Sequence, residues 1–401
     1  MTIRDWIFRI LAYILLTAFG LFMLFPFIYM MMTSLKTSND VFNTPPRLLP
    51  RSPVMVEYEG EERPTYRFEI DGETVTMVPT SERVRFGFFT TPELINASSP
   101  RDSQILYEIP FDEAVETGET LTINGEEFDL YQIIIDGETL TVPLAYRGSK
   151  DEFVSIDDPS VRTFAVERLA NQVEKVEFQF NNYQAVFDLK LDRALVNTTI
   201  VTVGVVIGQL ITSIMGGYAF SRIRFKGRDT IFLMYLGSIM IPFVVLIIPI
   251  YRLMVVIGWQ NRIVSLIVPW IFSAYGTFLM RQFFISIPKE IEEAALMDGA
   301  SRFRILWTIF VPLSRPAIAT LAIFSFLYAW NSFLWPLLII GEGNVDNHVL
   351  TLSLIRLSNS FADQPNMVLT GAAVAILPPI LIFILAQRYF IEGVATSGLK
   401  G

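Results

Sequence analysis

The chain has no cysteine among its 401 residues and a single histidine, His348. Without thiols, neither a disulfide framework nor a thiolate metal site can form. A lone histidine in a short loop reads as a solvated surface residue rather than a ligand, so no metal site is expected. No glycine-rich phosphate loop of the Walker type occurs, so any ATP chemistry belongs to a partner chain. No catalytic group, bound cofactor or nucleic-acid surface is expected. Charge is also scarce, at 18% of residues.

What is abundant is apolar surface. Hydrophobic residues make up 52% of the chain, with 33 Phe, the composition of a membrane protein. Six stretches approach the roughly 20 apolar residues that cross a bilayer core: Ile10–Leu35, Ala194–Ser221, Thr230–Tyr251, Ile263–Met280, Pro316–Gly341 and Met367–Gln387. The first has no small-residue cleavage site and is too long for a signal-peptide core, so it reads as an uncleaved span. With the N-terminus inside, thirteen Lys and Arg fall in the short inner segments, among them Arg222, Arg281, Arg302 and Arg388. Five fall outside: Lys36, Arg47, Arg252, Arg262 and Arg356. The positive-inside rule then puts both termini in the cytoplasm.

Between the first two spans the character changes. Arg51–Arg193 carries 29 acidic and 13 basic residues, a net charge of −16, which leaves +7 on the rest of the chain. Alternating runs such as Tyr66–Ile70, Glu119–Ile123 and Leu130–Ile134 are separated by Asp71-Gly72, Asn124-Gly125 and Asp136-Gly137. These dipeptides favour tight hairpins, so the insertion reads as β-rich. Val161–Val176 reads as an amphipathic helix with Phe164, Leu169 and Val173 on one face. The acidity suits solubility, or steering of a basic patch on a docking partner.

The most informative segment is polar and lies on the cytoplasmic side, from Glu293-Ala294-Ala295 through Asp298-Gly299 to Ile309 and Pro312. Pro288 suits a helix start, and Glu290, Glu292 and Glu293 favourably meet the positive end of the helix dipole. Ala294 and Ala295 add little bulk, so this short helix can enter a groove on another protein. Gly299 suits a left-handed C-terminal residue, and a second helix can begin near Ser301. Pro312 and Pro316 turn the chain back toward the membrane.

That pattern resembles the signature loop of ABC importer membrane subunits, in which E-A-A, three residues, Gly, nine residues and then I-x-apolar-P mark the docking point for an ATPase. The outer segment Ser34–Pro50, the Asn182-Tyr183 pair, the exit Tyr218–Gly227 and the tail Ala386–Gly393 ending Gly398-Leu-Lys400-Gly401 narrow the resemblance. They are similar to the second permease subunit of carbohydrate ABC importers, of the maltose-permease type. The resemblance covers about 7–50 and 182–401. Between them the chain departs from the family pattern by roughly 130 extra residues.

The resemblance implies a mostly α, polytopic fold of six transmembrane helices, the type I ABC importer permease fold, with a β-rich extracytoplasmic insertion between helices 1 and 2. The expected divisions are 1–50, the insertion 51–181 and the permease core 182–401 with its coupling loop at 286–315. Implied partners are a second permease subunit, two copies of an ABC ATPase and an extracytoplasmic solute-binding protein, all at the inner membrane. ATP and Mg stay on the ATPase. Glu293, Ala294, Ala295, Asp298, Gly299, Ile309 and Pro312 are the implied coupling residues, and Gly398, Lys400 and Gly401 the implied tail contact. Tyr328, Trp330, Asn331 and Trp335 are candidates for a sugar path, because aromatic faces and amides suit sugars and a mid-span amide is costly unless it lines a cavity. A non-sugar solute such as a glycerol-phosphate ester is the second reading. A membrane-anchored sensor is the third.

Overall fold

The computed structural model describes residues 3–70, 72–135 and 137–398, with side chains within 5–387. The chain divides into two compact units, one of Met1–Pro50 with Phe178–Gly401 and one of Arg51–Glu177.

The first unit is helical: α1 (Ile3–Thr33), α2 (Ser38–Val41), α3 (Asn181–Asp188), α4 (Leu191–Arg222), α5 (Arg228–Gly237), α6 (Phe243–Val256), α7 (Val264–Ile267), α8 (Ala274–Ser286), α9 (Lys289–Met297), α10 (Arg302–Ile305), α11 (Val311–Leu313), α12 (Arg315–Trp330), α13 (Leu334–Ile339), α14 (Leu350–Ser360) and α15 (Pro365–Gly398). Among the described residues, three unbroken helices are long and apolar enough to cross a membrane, in α1, α4 and α15. Three more candidates are bent pairs: Arg228–Met240 with Phe243–Val256 at 99°, Val264–Trp270 with Ala274–Ser286 at 42°, and Arg302–Leu313 with Arg315–Trp330 at 83°. Pro242, Pro269 and Pro316 lie at or beside these breaks, where a missing N–H and a ring clash interrupt the helical ladder.

The apolar window of α1 is not buried by the rest of the chain, and Phe22 is 73% exposed. Its length and composition suit contact with hydrocarbon. By contrast, α4 buries a stripe at helical spacing that includes Asn197, Val201, Val205, Gln209, Ser213 and Gly217. Polar groups in that stripe answer the backbone freed at the bend before α8. Gln209 Nε2 donates to the Trp270 carbonyl at 2.8 Å, and Thr212 Oγ1 to that of Ile271 at 2.6 Å. Ser325 Oγ donates to Gln209 Oε1 at 2.6 Å, which joins α12 to the same point. Interrupted backbone within a bilayer is tolerated only where such partners exist. Gly217 lets α8 close in, since a Cβ there would stand 2.6 Å from Cβ of Met280.

Asn182 gathers the end of α1. Its Nδ2 donates to the carbonyls of Ser34 and Lys36 at 2.8 and 2.9 Å. From α15, Thr370 Oγ1 donates to the same Ser34 carbonyl, and Asn366 Nδ2 to that of Lys36. The neighbouring Tyr183 hydroxyl lies 2.9 Å from Ser34 Oγ. The Asn-Tyr pair is thus the joint between α1, α3 and α15.

The second unit is all β: β1 (Arg51–Pro53), β2 (Met55–Tyr58), β3 (Glu61–Pro64), β4 (Tyr66–Ile70), β5 (Glu73–Phe89), β6 (Tyr107–Pro110), β7 (Val115–Ile123), β8 (Glu126–Ile135), β9 (Glu138–Ser155), β10 (Arg162–Ala165), β11 (Asn171–Gln172) and β12 (Glu174–Val176). The main sheet runs β11-β4-β5-β9-β8-β7, with β6 on β5 and β10 on β9. Gly72, Gly125 and Gly137 close three of its hairpins at positive φ, a conformation that glycine adopts without steric cost. Phe89, Tyr131 and Ile133 fill one core of this unit, and Tyr66, Met77 and Phe153 another.

Two expectations are corrected. Val161–Val176 is not a helix. β10 pairs antiparallel with β9, and β11 with β4, so strand partners distant in sequence override the local helical period. Leu169, expected on the buried face, is 83% exposed. His348 is not solvated but 2% exposed, with Nε2 3.2 Å from the Gly341 carbonyl; burial lowers its pKa from the ordinary value. Among the described residues no acidic or histidine cluster is arranged to hold a metal ion. The stretch Pro316–Gly341 is interrupted at Asn331, between α12 and α13. Asn331 caps α12, and its Nδ2 donates back to the Leu327 carbonyl. The last helix, α15, continues past Arg388 to Gly398.

Candidate functional site

The loop 286–315 folds into two short helices, α9 and α10, separated by a turn at Gly299. Pro288 is the N-cap of α9, Gly299 turns the chain at φ +79°, and Ser301 caps α10 by accepting the Arg304 amide. A π-helical segment, Leu306–Phe310, then leads into α11 and the 83° bend.

The packing of α9 separates two adjacent carboxylates. Glu293 is exposed, whereas Glu292 is buried with a side chain 10% exposed. Tyr218 Oη donates to Glu292 Oε1 at 2.9 Å. Arg222 Nη1 stands 3.7 Å from Oε2, and Arg302 Nη1 3.6 Å from Oε1. Glu292 therefore joins three segments: the end of α4, α9 itself, and α10. Arg222, whose side chain is 5% exposed, also donates to the carbonyls of Phe284 and Ile287 where α8 ends. Its guanidinium lies 5.0 Å over the ring of Phe310. Phe310 is fully buried and edge-packed on Tyr218 and Phe284. A buried carboxylate is costly unless paired and hydrogen-bonded, and here both conditions hold. A displacement of α9 must pull on this cluster and hence on α4.

The loop residues expected from the sequence fall into two groups. Glu293, Ala294, Asp298 and Gly299 lie on the outward face, and Pro312 is exposed at the bend. Ala295 and Ile309 are half-buried and pack against the cluster of Met280, Phe284 and Phe310. The outward face is also apolar: Met297 is 85% exposed and Phe303 66%. From the sequence, Glu292 was only a first-turn carboxylate and Arg222 only one of the inner cations; neither was expected as a coupling residue. The helical period offered a signal, since an inward Ala295 places residue 292 one turn earlier on the same face.

The aromatic residues of α12 and α13 partly converge. Tyr328, Trp330 and Trp335 line one cavity with Trp270, and Asn331 does not. Both indoles are engaged in packing: Trp330 Nε1 donates to the Ala375 carbonyl, and Trp335 Nε1 to that of Ser265. The cavity holds about 20 Å³, room for about one water molecule and no sugar ring. Of the expected tail contact, Lys400 and Gly401 lie outside the described residues, and Gly398 is the last residue of α15.

Residues 204–396 match the family described as binding-protein-dependent transport system inner membrane component. The arabinooligosaccharides transport system permease protein AraQ of Halalkalibacterium halodurans is 35% identical over 205 residues, 51% of this chain and 73% of that protein. This chain belongs to that family of inner membrane components. The sn-glycerol-3-phosphate transport system permease protein UgpE of Brucella melitensis is 36% identical over 221 residues, 54% of this chain and 77% of that protein. The inner membrane component shares its fold with a chain from the crystal structure of a bacterial ABC transporter involved in the import of the acidic polysaccharide alginate. The TM-score is 0.55 at 18% identity, covering 97% of this chain and 99% of that one. Family membership makes this protein an ABC permease subunit rather than an enzyme, with ATP hydrolysis on a separate subunit.

Proposed function

We propose that the chain is one half of the translocation pathway of an ATP-driven importer for a di- or oligosaccharide. It pairs with a second permease subunit, two copies of an ABC ATPase and an extracytoplasmic solute-binding protein. In this reading three unbroken and three bent segments make six spans, both termini are cytoplasmic, and the β unit lies outside. The excess of Lys and Arg in the short inner segments supports that orientation.

The observation that carries the coupling role is the contrast between Glu292 and Glu293. One carboxylate of α9 is tied inward to α4, while its neighbour stands free on a face with exposed Met297 and Phe303. A face of this kind, apolar at its centre and charged at its edge, suits a groove on a partner protein. Closure of the ATPase dimer would move α9, and the Glu292 cluster would pass that motion to α4 and α8. Alternating access follows as the spans rock. The tail from Gly398 to Gly401 is assigned the second contact with the ATPase. Tyr328, Trp330, Asn331 and Trp335 border the path in a state more open than this one.

The test is uptake by the reconstituted complex. Glu293→Lys and Gly299→Pro should insert normally and abolish ATP-driven uptake, since breaking a charge contact at an interface costs on the order of 2–5 kcal/mol. Normal uptake in both variants refutes the assignment. A glycerol-phosphate ester is the second substrate reading, supported by the relatives named for sn-glycerol-3-phosphate. Competition of labelled oligosaccharide uptake by sn-glycerol-3-phosphate separates the two.

A further inference from the structure

The β unit Arg51–Glu177 contains a cleft of about 750 Å³, within the range of small-molecule sites, about 300–1,000 Å³. On its wall, Phe88 and Tyr146 stack with centroids 4.4 Å apart and planes 12° apart. This pair is built in rather than incidental. Gly148, two residues past Tyr146 on β9, leaves the space that Phe88 of β5 fills, since a Cβ there would stand 2.7 Å from Phe88 Cε2. Two residues further along β9, Lys150 pairs with Glu108 and places Nζ 5.7 Å from the Phe88 ring centroid. Phe88 is thereby buried and immobilised, while Tyr146 remains half-buried at the cleft.

The rim supplies polar groups. Burial raises the Tyr146 pKa first, the Glu108 carboxylate raises it further, and the Arg101 guanidinium lowers it. Both charged groups line the same cleft as the phenol. Arg67, Glu69, Arg147 and Asn171 also line the cleft. In a unit of net charge −16, carboxylates are plentiful. Yet Arg67 and Arg101 have none within ion-pair distance among the described residues. Two unpaired guanidiniums beside a rigid aromatic face leave planar, multidentate donors directed at whatever enters.

We propose that this cleft binds an oligosaccharide bearing carboxylates, a uronate chain, at a site separate from the translocation path. The apolar C–H face of one sugar ring packs on Tyr146. Arg67 and Arg101 take the carboxylates or vicinal hydroxyls, and Asn171 and Glu69 take further hydroxyls. A carboxylated chain is favoured over a neutral one because Lys150 already neutralises Glu108, leaving Arg67, Arg101 and Arg147 among the lining residues against Glu69 alone. The inference leans on the importer reading only for the class of ligand. Its test reads equilibrium binding without ATP, so failure of uptake and failure of this site are distinguishable.

The experiment is calorimetric titration of the full chain, in lipid nanodiscs with its partner subunits, using tetragalacturonate and cellotetraose as probes. Tetragalacturonate should bind, with affinity at least tenfold above cellotetraose. Arg101→Gln and Arg67→Gln, both exposed and remote from the hydrophobic core, should each weaken it tenfold or more at unchanged thermal stability. Tyr146→Ala should abolish binding of both probes. Absence of tetragalacturonate binding overturns the proposal, as does wild-type affinity in both arginine variants or equal affinity for the two probes. Occupation of the cleft by the solute-binding protein, seen as its protection of Tyr146 from iodination while tetragalacturonate gives none, also overturns it.

Discussion

Replacing Glu292 by alanine removes the carboxylate that links α9 to α4. The loss has two parts. One is the hydrogen bond from Tyr218 at 2.9 Å, worth about 1.5–3 kcal/mol for a charged acceptor. The other is the pairing of Arg222 and Arg302 at 3.7 and 3.6 Å. Breaking a buried pair costs about 3–5 kcal/mol when the remaining charge is stranded. Arg222 is not stranded, because the Phe284 and Ile287 carbonyls still accept from it, and Arg302 is half exposed. The combined effect is therefore placed at the lower end, about 3 kcal/mol. For a chain of this size, at about 2 cal/mol/K of unfolding entropy per residue and hence about 1–2 °C per kcal/mol, that corresponds to a midpoint lower by roughly 3–6 °C. Glu293→Ala, on the exposed face, should change the midpoint of the isolated subunit by no more than about 0.5 kcal/mol equivalent. The assay is thermal unfolding of the purified subunit in detergent, followed by ATP hydrolysis and uptake in the assembled complex. Glu292→Ala should retain ATPase binding and hydrolysis but lose uptake, whereas Glu293→Ala should weaken ATPase binding itself. An unchanged midpoint and normal uptake for Glu292→Ala would refute the linkage.

Three further outcomes are expected. Gln209→Leu leaves the Trp270 carbonyl without its donor at the α7–α8 bend, so it should lower stability by about 1–3 kcal/mol; a midpoint equal to wild type contradicts that role. Burial holds His348 below its ordinary pKa of 6.5, so the unfolded chain binds its proton first as pH falls. The stability contributed by the neutral imidazole is complete above pH 6.5 and declines below it toward the folded value. His348→Gln should flatten that slope in a midpoint-versus-pH series, and an unchanged slope counts against it. Protease added to intact spheroplasts should cut within Arg51–Arg193 and spare Glu293–Pro312; cleavage of that loop from outside would invert the orientation.

The features legible in the sequence are those whose causes are local. Gly72, Gly125 and Gly137 mark hairpin turns because positive φ is a property of single residues. Gly299 and Ser301 mark the break between α9 and α10 for the same reason. The spacing from Glu293 to Pro312 carried the family, and hydropathy located the apolar stretches.

Tertiary structure alone decided what depends on partners distant in the chain. Hydropathy measures the length of an apolar run but not its direction: Pro312 and Pro316 marked the turn that became the 83° bend, whereas the size of the bends and the end of α12 at Trp330 were not legible. Val161–Val176 has a helical period, yet pairing with β9 and β4 satisfies its backbone as strands. His348 looks like a loop residue until the Gly341 carbonyl and the surrounding chain close over it. Glu292 and Glu293 are identical in type and adjacent in sequence. Only the position of Tyr218 and Arg222, some seventy residues earlier on α4, decides which of them is buried and paired and which stands free.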